Sequence, residues 1–257
     1  MARAAAPHIY SIAAHRGFAD ALVAGLVPRY SDGALGLARL TLLVPSSRAA
    51  RTISEAFIRH TGSTGSAGLL MPRMVAVGDL DLDEALGGLL DPLVASDIPP
   101  AVEPNARLFE LAQCIEEEMK EAGEPPLPGA ARLRLAREIA RTIDRLLVEE
   151  KSPADLLDPK VLDIAPNLAD HWMASIRLFA KVQARWEARL NERQQVNAAR
   201  RRNLLFERTA KHWRSSPPAT PIVAAGVTSA APALARLLRV IANLPEGAVI
   251  LLSLIHI

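Results

Sequence analysis

The sequence has little cysteine, few aromatic side chains, almost no net charge and no long apolar run. Its single cysteine, Cys114, excludes an intramolecular disulfide framework and any metal or iron–sulfur site built on several cysteines. A net charge of +2 is smaller than the basic excess typical of a dedicated nucleic-acid domain. No uncharged apolar run reaches about 18 residues, and residues 1–17 lack the apolar core of a secretory signal, so we expect a cytoplasmic protein without a membrane span.

What the sequence does have is an alternation of strands and helices before residue 100. Strands are predicted at 8–12, 40–45 and 69–80, and helices at 17–30 and from Ser46 or Ser47 onward. The run LTLLVP at 40–45 is apolar, as in a buried parallel strand. Pro72 assigns the third strand to an edge or an irregular position. This order is typical of an open α/β sheet.

A helical segment interrupts this alternation. The helices are predicted at 105–122, 130–150, 168–193 and 197–214. After the proline-rich stretch SSPPATP, a strand, a helix and a strand follow. We therefore predict a discontinuous α/β domain, 1–100 and 216–252, with a helical insertion at 101–215. Two sequential domains are the alternative, although the flanking pieces are small for independent folding.

The loop after the first strand stands where a nucleotide-binding α/β domain places its phosphate loop. It reads Ala13, Ala14, His15, Arg16 and Gly17, with one glycine and without the lysine and hydroxyl of a phosphate loop. The strand IVAAGV is followed by no acid that would hold Mg²⁺. Nucleotide hydrolysis is therefore not predicted, and a plain strand–helix turn is the preferred interpretation.

Other segments favour structural roles over catalysis. TGSTGSAG, at 61–68, has neither the lysine of a phosphate cradle nor the spacing of a serine elbow, and is predicted to be a loop. His171 and His212 have no partner at zinc-binding spacing. EEEMKE, at 116–121, is interpreted as a solvated face. We predict no catalytic residue and no metal site.

Two groups of arginines are candidate phosphate contacts. Arg48 and Arg51 follow a strand and face the carboxyl edge of the sheet, where open α/β proteins bind ligands. Arg200, Arg201 and Arg202 open the most basic helix of the chain. For both groups the alternative is a solvated helix face.

Six segments, in this order, resemble the N-terminal part of the AddB family in its alphaproteobacterial form. They are IYSIAAHRGFADALVAGLVPRY, LARLTLLVPSSRAARTISEAFIR, LLMPRMVAVGDLD, LADHWMASIRLF, RRRNLLFERTAKHWR and PIVAAGVTSAAPALARLLRVIANLPEGAVIL. Each motif alone is weak, but their order and spacing over residues 8–252 make the resemblance specific.

The resemblance implies a RecA-like (P-loop-type) parallel sheet lobe of a superfamily-1-type helicase, catalytically degenerate and interrupted by a helical insertion. AddB is a subunit of a helicase–nuclease that processes DNA double-strand breaks for recombinational repair. The implied partners are the AddA subunit, whose motor hydrolyses ATP, and single- and double-stranded DNA. The Mg²⁺-dependent nuclease and iron–sulfur cluster belong to the C-terminal part of the family, so no cofactor, ATPase or nuclease activity is expected here.

The end of the chain departs from this resemblance. After LPEGAVIL the sequence reads LSLIHI, and residues 253–257 fit neither the family nor a strand–loop pattern. We interpret them as a truncated or artificial reading-frame end. The rival hypothesis is a free-standing α/β interaction or small-ligand module with no DNA role.

Overall fold

The computed structural model describes residues 6–32, 35–64, 70–78, 97–157, 169–229 and 231–253. The chain divides into two compact units. One, here the sheet unit, comprises Met1–Asp97 and Leu205–Ile257, and the other, the helical unit, is Ile98–Leu204. The second boundary lies inside the last helix of the predicted insertion, whereas the sequence pattern had placed it after that helix.

The strands and helices follow the predicted order. The strands are β1 (Ile9–Ala13), β2 (Thr41–Val44), β3 (Arg73–Ala76), β4 (Ile222–Ala225) and β5 (Gly247–Ser253). The helices are α1 (Phe18–Tyr30), α2 (Ser47–Thr64), α3 (Pro104–Glu121), α4 (Gly129–Val148), α5 (Ala169–Glu192), α6 (Ala198–Ser215) and α7 (Pro232–Ala242), with 3-10 turns at Gly36–Arg39 and Pro153–Leu157. Because α2 continues to Thr64, the predicted loop at 61–68 is wrong in its first half, and residues 65–69 lie outside the described part.

The sheet is parallel throughout, in the order β1-β5-β4-β2-β3. The central strands β2 and β4 are buried along their whole length, which explains why all their residues except Thr41 are apolar. The strand after Pro72 is an edge strand, as its proline predicted. Of the final residues, Ser253 belongs to β5, and 254–257 lie outside the described part.

The two faces of the sheet carry different helices. Helices α1 and α2 pack on each other and on one face, where Leu22 and Phe57 cover side chains of β2 and β4. The chain runs one way along the sheet from β1 to β3 and the opposite way from β4 to β5. Since parallel crossovers are right-handed, α7, which contacts β4 and β5, lies on the other face. The neighbouring strands β2 and β4 therefore send the chain to opposite faces, which opens a crevice at their carboxyl ends.

The helical unit is built on α3, α4 and α5. Its core contains Leu111 and Ile115 of α3, Ile143 of α4 and the fully buried Trp186 of α5. The apolar stripe of each helix dictates this packing, because residues three and four apart share a face. None of the described helices is long and apolar enough to cross a membrane.

Acidic residues of α3 pair with arginines of α5. Arg185 reaches Glu118 at 2.6 Å and Glu121 at 2.7 Å, and Arg189 reaches Glu117 at 2.7 Å. The Glu118 side chain is only 7% exposed. The interpretation of 116–121 as a solvated face is therefore only partly right: Glu116, Lys120 and Glu121 are exposed, whereas Glu118 is buried against Arg185.

Candidate nucleic-acid interface

The loop after β1 is a tight turn. The Arg16 amide donates a hydrogen bond to the Ala13 carbonyl at 3.0 Å, and α1 begins directly after Gly17. Gly17 caps the helix without a side-chain hydrogen bond. A phosphate loop needs several backbone N–H groups that converge on the anion. In the path from Ala13 to Gly17 one of these groups, the Arg16 N–H, is used within the turn itself.

A pocket of about 500 Å³ lies at the carboxyl edge of the sheet, within the sheet unit. We call it the edge pocket. Its walls are the start of α1 at Gly17 and Phe18, the start of α2 at Ser46 and Arg48, and the end of β4 at Gly226. The fold predicts a ligand site here, because the connections after β2 and β4 leave toward opposite faces.

The Phe18 ring covers the end of β4. Gly226 has a φ of +68°, a conformation that favours glycine, and a Cβ at this position would lie 3.1 Å from Phe18 Cε1. The backbone N–H of Gly226 donates to the Ile250 carbonyl at 2.8 Å. β4 ends at Ala225, two residues earlier than predicted, because the positive φ of Gly226 interrupts the extended backbone. A side chain at position 226, including a carboxylate that would hold Mg²⁺, would be strained by the positive φ and would require the aromatic ring to shift by a few tenths of an ångström.

An ion pair bridges α1 and α2 beside the edge pocket. The Arg59 Nη2 atom lies 2.7 Å from Asp20 Oδ1, and Arg59 Nε donates to the same oxygen at 3.2 Å. Both side chains are more than half exposed, so the pair is worth little in stability. It does neutralise Arg59, and it leaves Arg48 as the uncompensated cation of the pocket wall.

The start of α2 concentrates positive potential at this edge. Ser46 caps the helix, since its Oγ accepts from the Ala49 N–H at 3.3 Å, which settles the choice between Ser46 and Ser47. Arg48 and Arg51 are both exposed, and within the described part of the chain neither side chain forms an ion pair. They are three residues apart and so lie on neighbouring parts of one helix face. Of the two, Arg48 lines the edge pocket, where it and the helix N-terminus attract anions.

The arginine run of α6 does not form one surface. The Arg201 Nη1 atom donates to the Ile98 and Pro99 carbonyls at 2.8 and 2.7 Å. Arg202 is buried, and this burial lowers the pKa of its guanidinium. Successive helical residues point about 100° apart, so three neighbours cannot share a face. Arg200 alone of the three is exposed, and phosphate contact stays a prediction for it and for Arg48 and Arg51.

Arg200 lines a pocket of about 320 Å³ in the helical unit. Amide side chains of Asn191, Gln195 and Asn197 and the carboxylate of Glu187 also line it. Asn197 is fixed, because its Oδ1 accepts from the Trp186 indole at 3.0 Å. Nothing in the spacing of the sequence predicted this grouping.

Two features of the edge pocket were also missed by sequence reasoning. The contact between Phe18 and Gly226 joins residues distant in the chain, and only the glycine at the end of an apolar strand signalled a close approach. The Asp20–Arg59 pair left no signal at all. Among the described residues no group of three His, Cys, Asp or Glu side chains could hold a metal ion.

No family model matches this chain, and no curated protein matches it.

Proposed function

We propose that this chain is a helicase-like DNA-repair module of the AddB type, which guides single-stranded DNA over the carboxyl edge of its sheet and has no ATPase or nuclease activity of its own. One observation supports the DNA contact above all. Two exposed arginines without ion pairs, Arg48 and Arg51, stand on the first turns of α2 where the strand order opens a crevice.

The fold is compatible with this proposal. A parallel sheet whose sequence is interrupted by a helical unit has the organisation expected of a degenerate RecA-like lobe of a superfamily-1-type helicase. Such a module acts as a scaffold beside a motor subunit, and the partner we propose is an AddA-type ATPase. The lack of catalysis is supported by the closed turn at Ala13–Gly17 and by the Phe18 ring at the end of β4.

The arrangement favours contact with phosphates over reading of bases. Guanidinium groups bind phosphate oxygens strongly, and a helix N-terminus adds to the attraction. Aromatic residues on which bases would stack are scarce, since they make up 4% of the sequence, and among the described residues that line the edge pocket the one aromatic side chain is Phe18. Binding should therefore be insensitive to sequence and steeply dependent on salt.

Fluorescence anisotropy with a labelled oligo-dT strand tests the proposal. Wild-type affinity should fall with salt, and Arg48→Ala/Arg51→Ala should flatten the slope of log K against log salt by about 1.4, since each phosphate contact on a single strand contributes about 0.7. Arg137→Ala, which removes an exposed arginine of α4, is the matched control and should change nothing. An affinity that is independent of salt, or unchanged in the double variant, would overturn the proposal.

A second candidate is a free-standing small-ligand module. The edge pocket, at about 500 Å³, lies within the range of about 300–1,000 Å³ that ligand sites occupy. Apolar side chains such as Ile53 and Leu252 line it beside Arg48, which suits a small organic anion. This candidate gains if oligo-dT fails to bind while a screen of organic anions raises the melting temperature of the wild type and not of Arg48→Ala.

A further inference from the structure

A second groove, of about 320 Å³, lies at the opposite edge of the sheet unit. It is formed where α6 ends before β4 and where α7 ends before β5, at the amino-terminal ends of these strands. We call it the α6–α7 groove. Because parallel strands place all their carboxyl ends at one edge, this groove is distinct from the edge pocket.

The floor of the α6–α7 groove is apolar and its rim is rigid. Trp213, Val240 and Leu244 line the floor and belong to the buried core, so they are held in place by packing. Pro217 and Pro245 stand exposed at the rim. Proline has a fixed φ and no backbone N–H, so this part of the rim is preformed and adds no hydrogen-bond donor.

The rim of the α6–α7 groove carries positive charge without a balancing acid. Arg214 and Arg239 are exposed, and neither side chain forms an ion pair within the described part of the chain. Among the described residues, those that line the groove include no Asp or Glu. Each arginine lies in the last turn of its helix, where a cation also offsets the helix dipole. Interaction with the helix dipole accounts for the position of each arginine, but it does not account for the apolar floor of the groove.

The chemistry of the α6–α7 groove fits a polypeptide better than a nucleic acid. Two helices end here, and the partial negative charge at their carboxyl ends repels phosphates. An apolar floor suits an aliphatic or aromatic side chain. Two guanidinium groups at the rim suit carboxylates on either side of that residue.

We propose that the α6–α7 groove binds an acidic linear segment of a partner protein, with one apolar side chain on the floor and flanking carboxylates on Arg214 and Arg239. The proposal rests on this groove alone and stands whether or not the edge pocket binds DNA.

The test uses the full chain and a fluorescein-labelled peptide in which a single Phe is flanked by two glutamates on each side. Binding is measured by anisotropy at low salt. Arg214→Glu/Arg239→Glu should weaken binding at least about tenfold, because like charges then face each other. Arg214→Lys/Arg239→Lys should retain most of the affinity, which separates loss of charge from loss of fold. Arg134→Glu, at an exposed site on α4, is the control.

A peptide with lysines in place of the glutamates should not bind. Equal binding of the two peptides would contradict the proposal, because charge would then play no part. Loss of binding in the Arg→Lys variant together with a lowered melting temperature would assign the arginines to the fold. If oligo-dT displaced the labelled peptide from the wild type, and oligo-dT binding were lost in Arg214→Glu/Arg239→Glu, the groove would be a nucleic-acid site and the proposal would be wrong. Absence of binding at about 1 mM peptide, near −4 kcal/mol, would overturn the proposal.

Discussion

The interiors of the two units differ in their polar content. The sheet unit buries two threonines, Thr41 and Thr209, as its polar side chains among the described residues. The helical unit, over its own described part, buries six larger polar or charged side chains: Arg107, Glu118, Gln183, Asn197, Arg202 and Asn203. Both units have apolar clusters of similar residue types, so the difference between their interiors lies in the buried polar side chains.

Contacts between helices explain the contrast. Strands and helices both satisfy their own backbone hydrogen bonds, so the difference lies in the side chains. In the helical unit, buried polar side chains of one helix reach polar groups of another helix. Arg107 shows this, since its Nη1 lies 2.9 Å from Asp144 Oδ2 and its Nη2 donates to the Ala140 carbonyl at 3.0 Å. The sheet unit therefore depends on close packing and the helical unit on matched charges as well.

The largest effect should follow a cavity in the sheet unit. Phe57 is fully buried between α2 and the strands, and Phe57→Ala should lower the free energy of unfolding by about 3–5 kcal/mol through lost burial and the cavity left behind. Phe109→Ala is the matched control, since that ring is 60% exposed, and it should cost less than about 1 kcal/mol. Urea unfolding of both variants measures this. Equal losses in the free energy of unfolding would show that the burial of Phe57 does not make it more important for stability than the exposed Phe109.

The next effect concerns the buried ion pair of the helical unit. The side chains of Arg107 and Asp144 are 10% and 19% exposed, and Arg107→Met alone should cost about 3 kcal/mol because it leaves Asp144 without its ion-pair partner. Arg107→Met/Asp144→Leu should recover most of this loss, because an apolar pair of similar volume replaces the ions. A double-mutant cycle by urea unfolding measures the recovery. If the two single losses simply add, the unit does not depend on matched charge at this position.

A smaller effect is expected where α5 meets α3. Glu118 and Glu121 hold the pKa of Arg185 above its usual value through hydrogen bonds to its guanidinium. Arg185→Ala should lower the melting temperature less than Arg107→Met does, because this cluster is more exposed. It should also reduce the sensitivity of that temperature to salt, since screening then has fewer pairs to act on. Arg177→Ala, an exposed site on the same helix, should leave the salt dependence intact. The same salt dependence in both variants would contradict this interpretation.

The elements could be predicted from the sequence because their periodicity is local. The bounds of α3 and α6 were predicted to within a residue, and Pro72 identified the edge strand. The partners of side chains could not be predicted in this way. The residues that pair with Arg185 lie more than sixty positions away, so the acidic run of α3 looked solvated. At the candidate interface Arg48 and Arg51 are exposed as predicted, whereas neighbours in sequence on α6 proved to point in different directions.

The smallest effect sets the two units apart at the extremes of pH. In the helical unit Glu103 caps α3 by accepting from the Ala106 N–H at 2.7 Å, and this bond lowers the pKa of its carboxyl group. Because the pKa of Glu103 is lower in the folded than in the unfolded chain, its ionised carboxylate stabilises the fold at pH values above the unfolded pKa of about 4.3. This stabilisation is lost as the pH falls through the folded pKa. In the sheet unit burial raises the pKa of Tyr30. Its contribution is present below the unfolded value of about 10 and is lost as pH rises through the folded one.

Hydrogen exchange at several pH values distinguishes these two contributions, because it reports on each unit separately. Glu103→Gln should weaken the acid-induced loss of protection in α3 and leave β2 and β4 unaffected, since the amide still accepts the capping bond but does not titrate. Tyr30→Phe should reduce the loss of protection in the sheet unit at high pH and leave the protection of α3 unaffected. If either variant changed the pH response of both units equally, the units would unfold as one, and the difference between their interiors would have no separate consequence for stability.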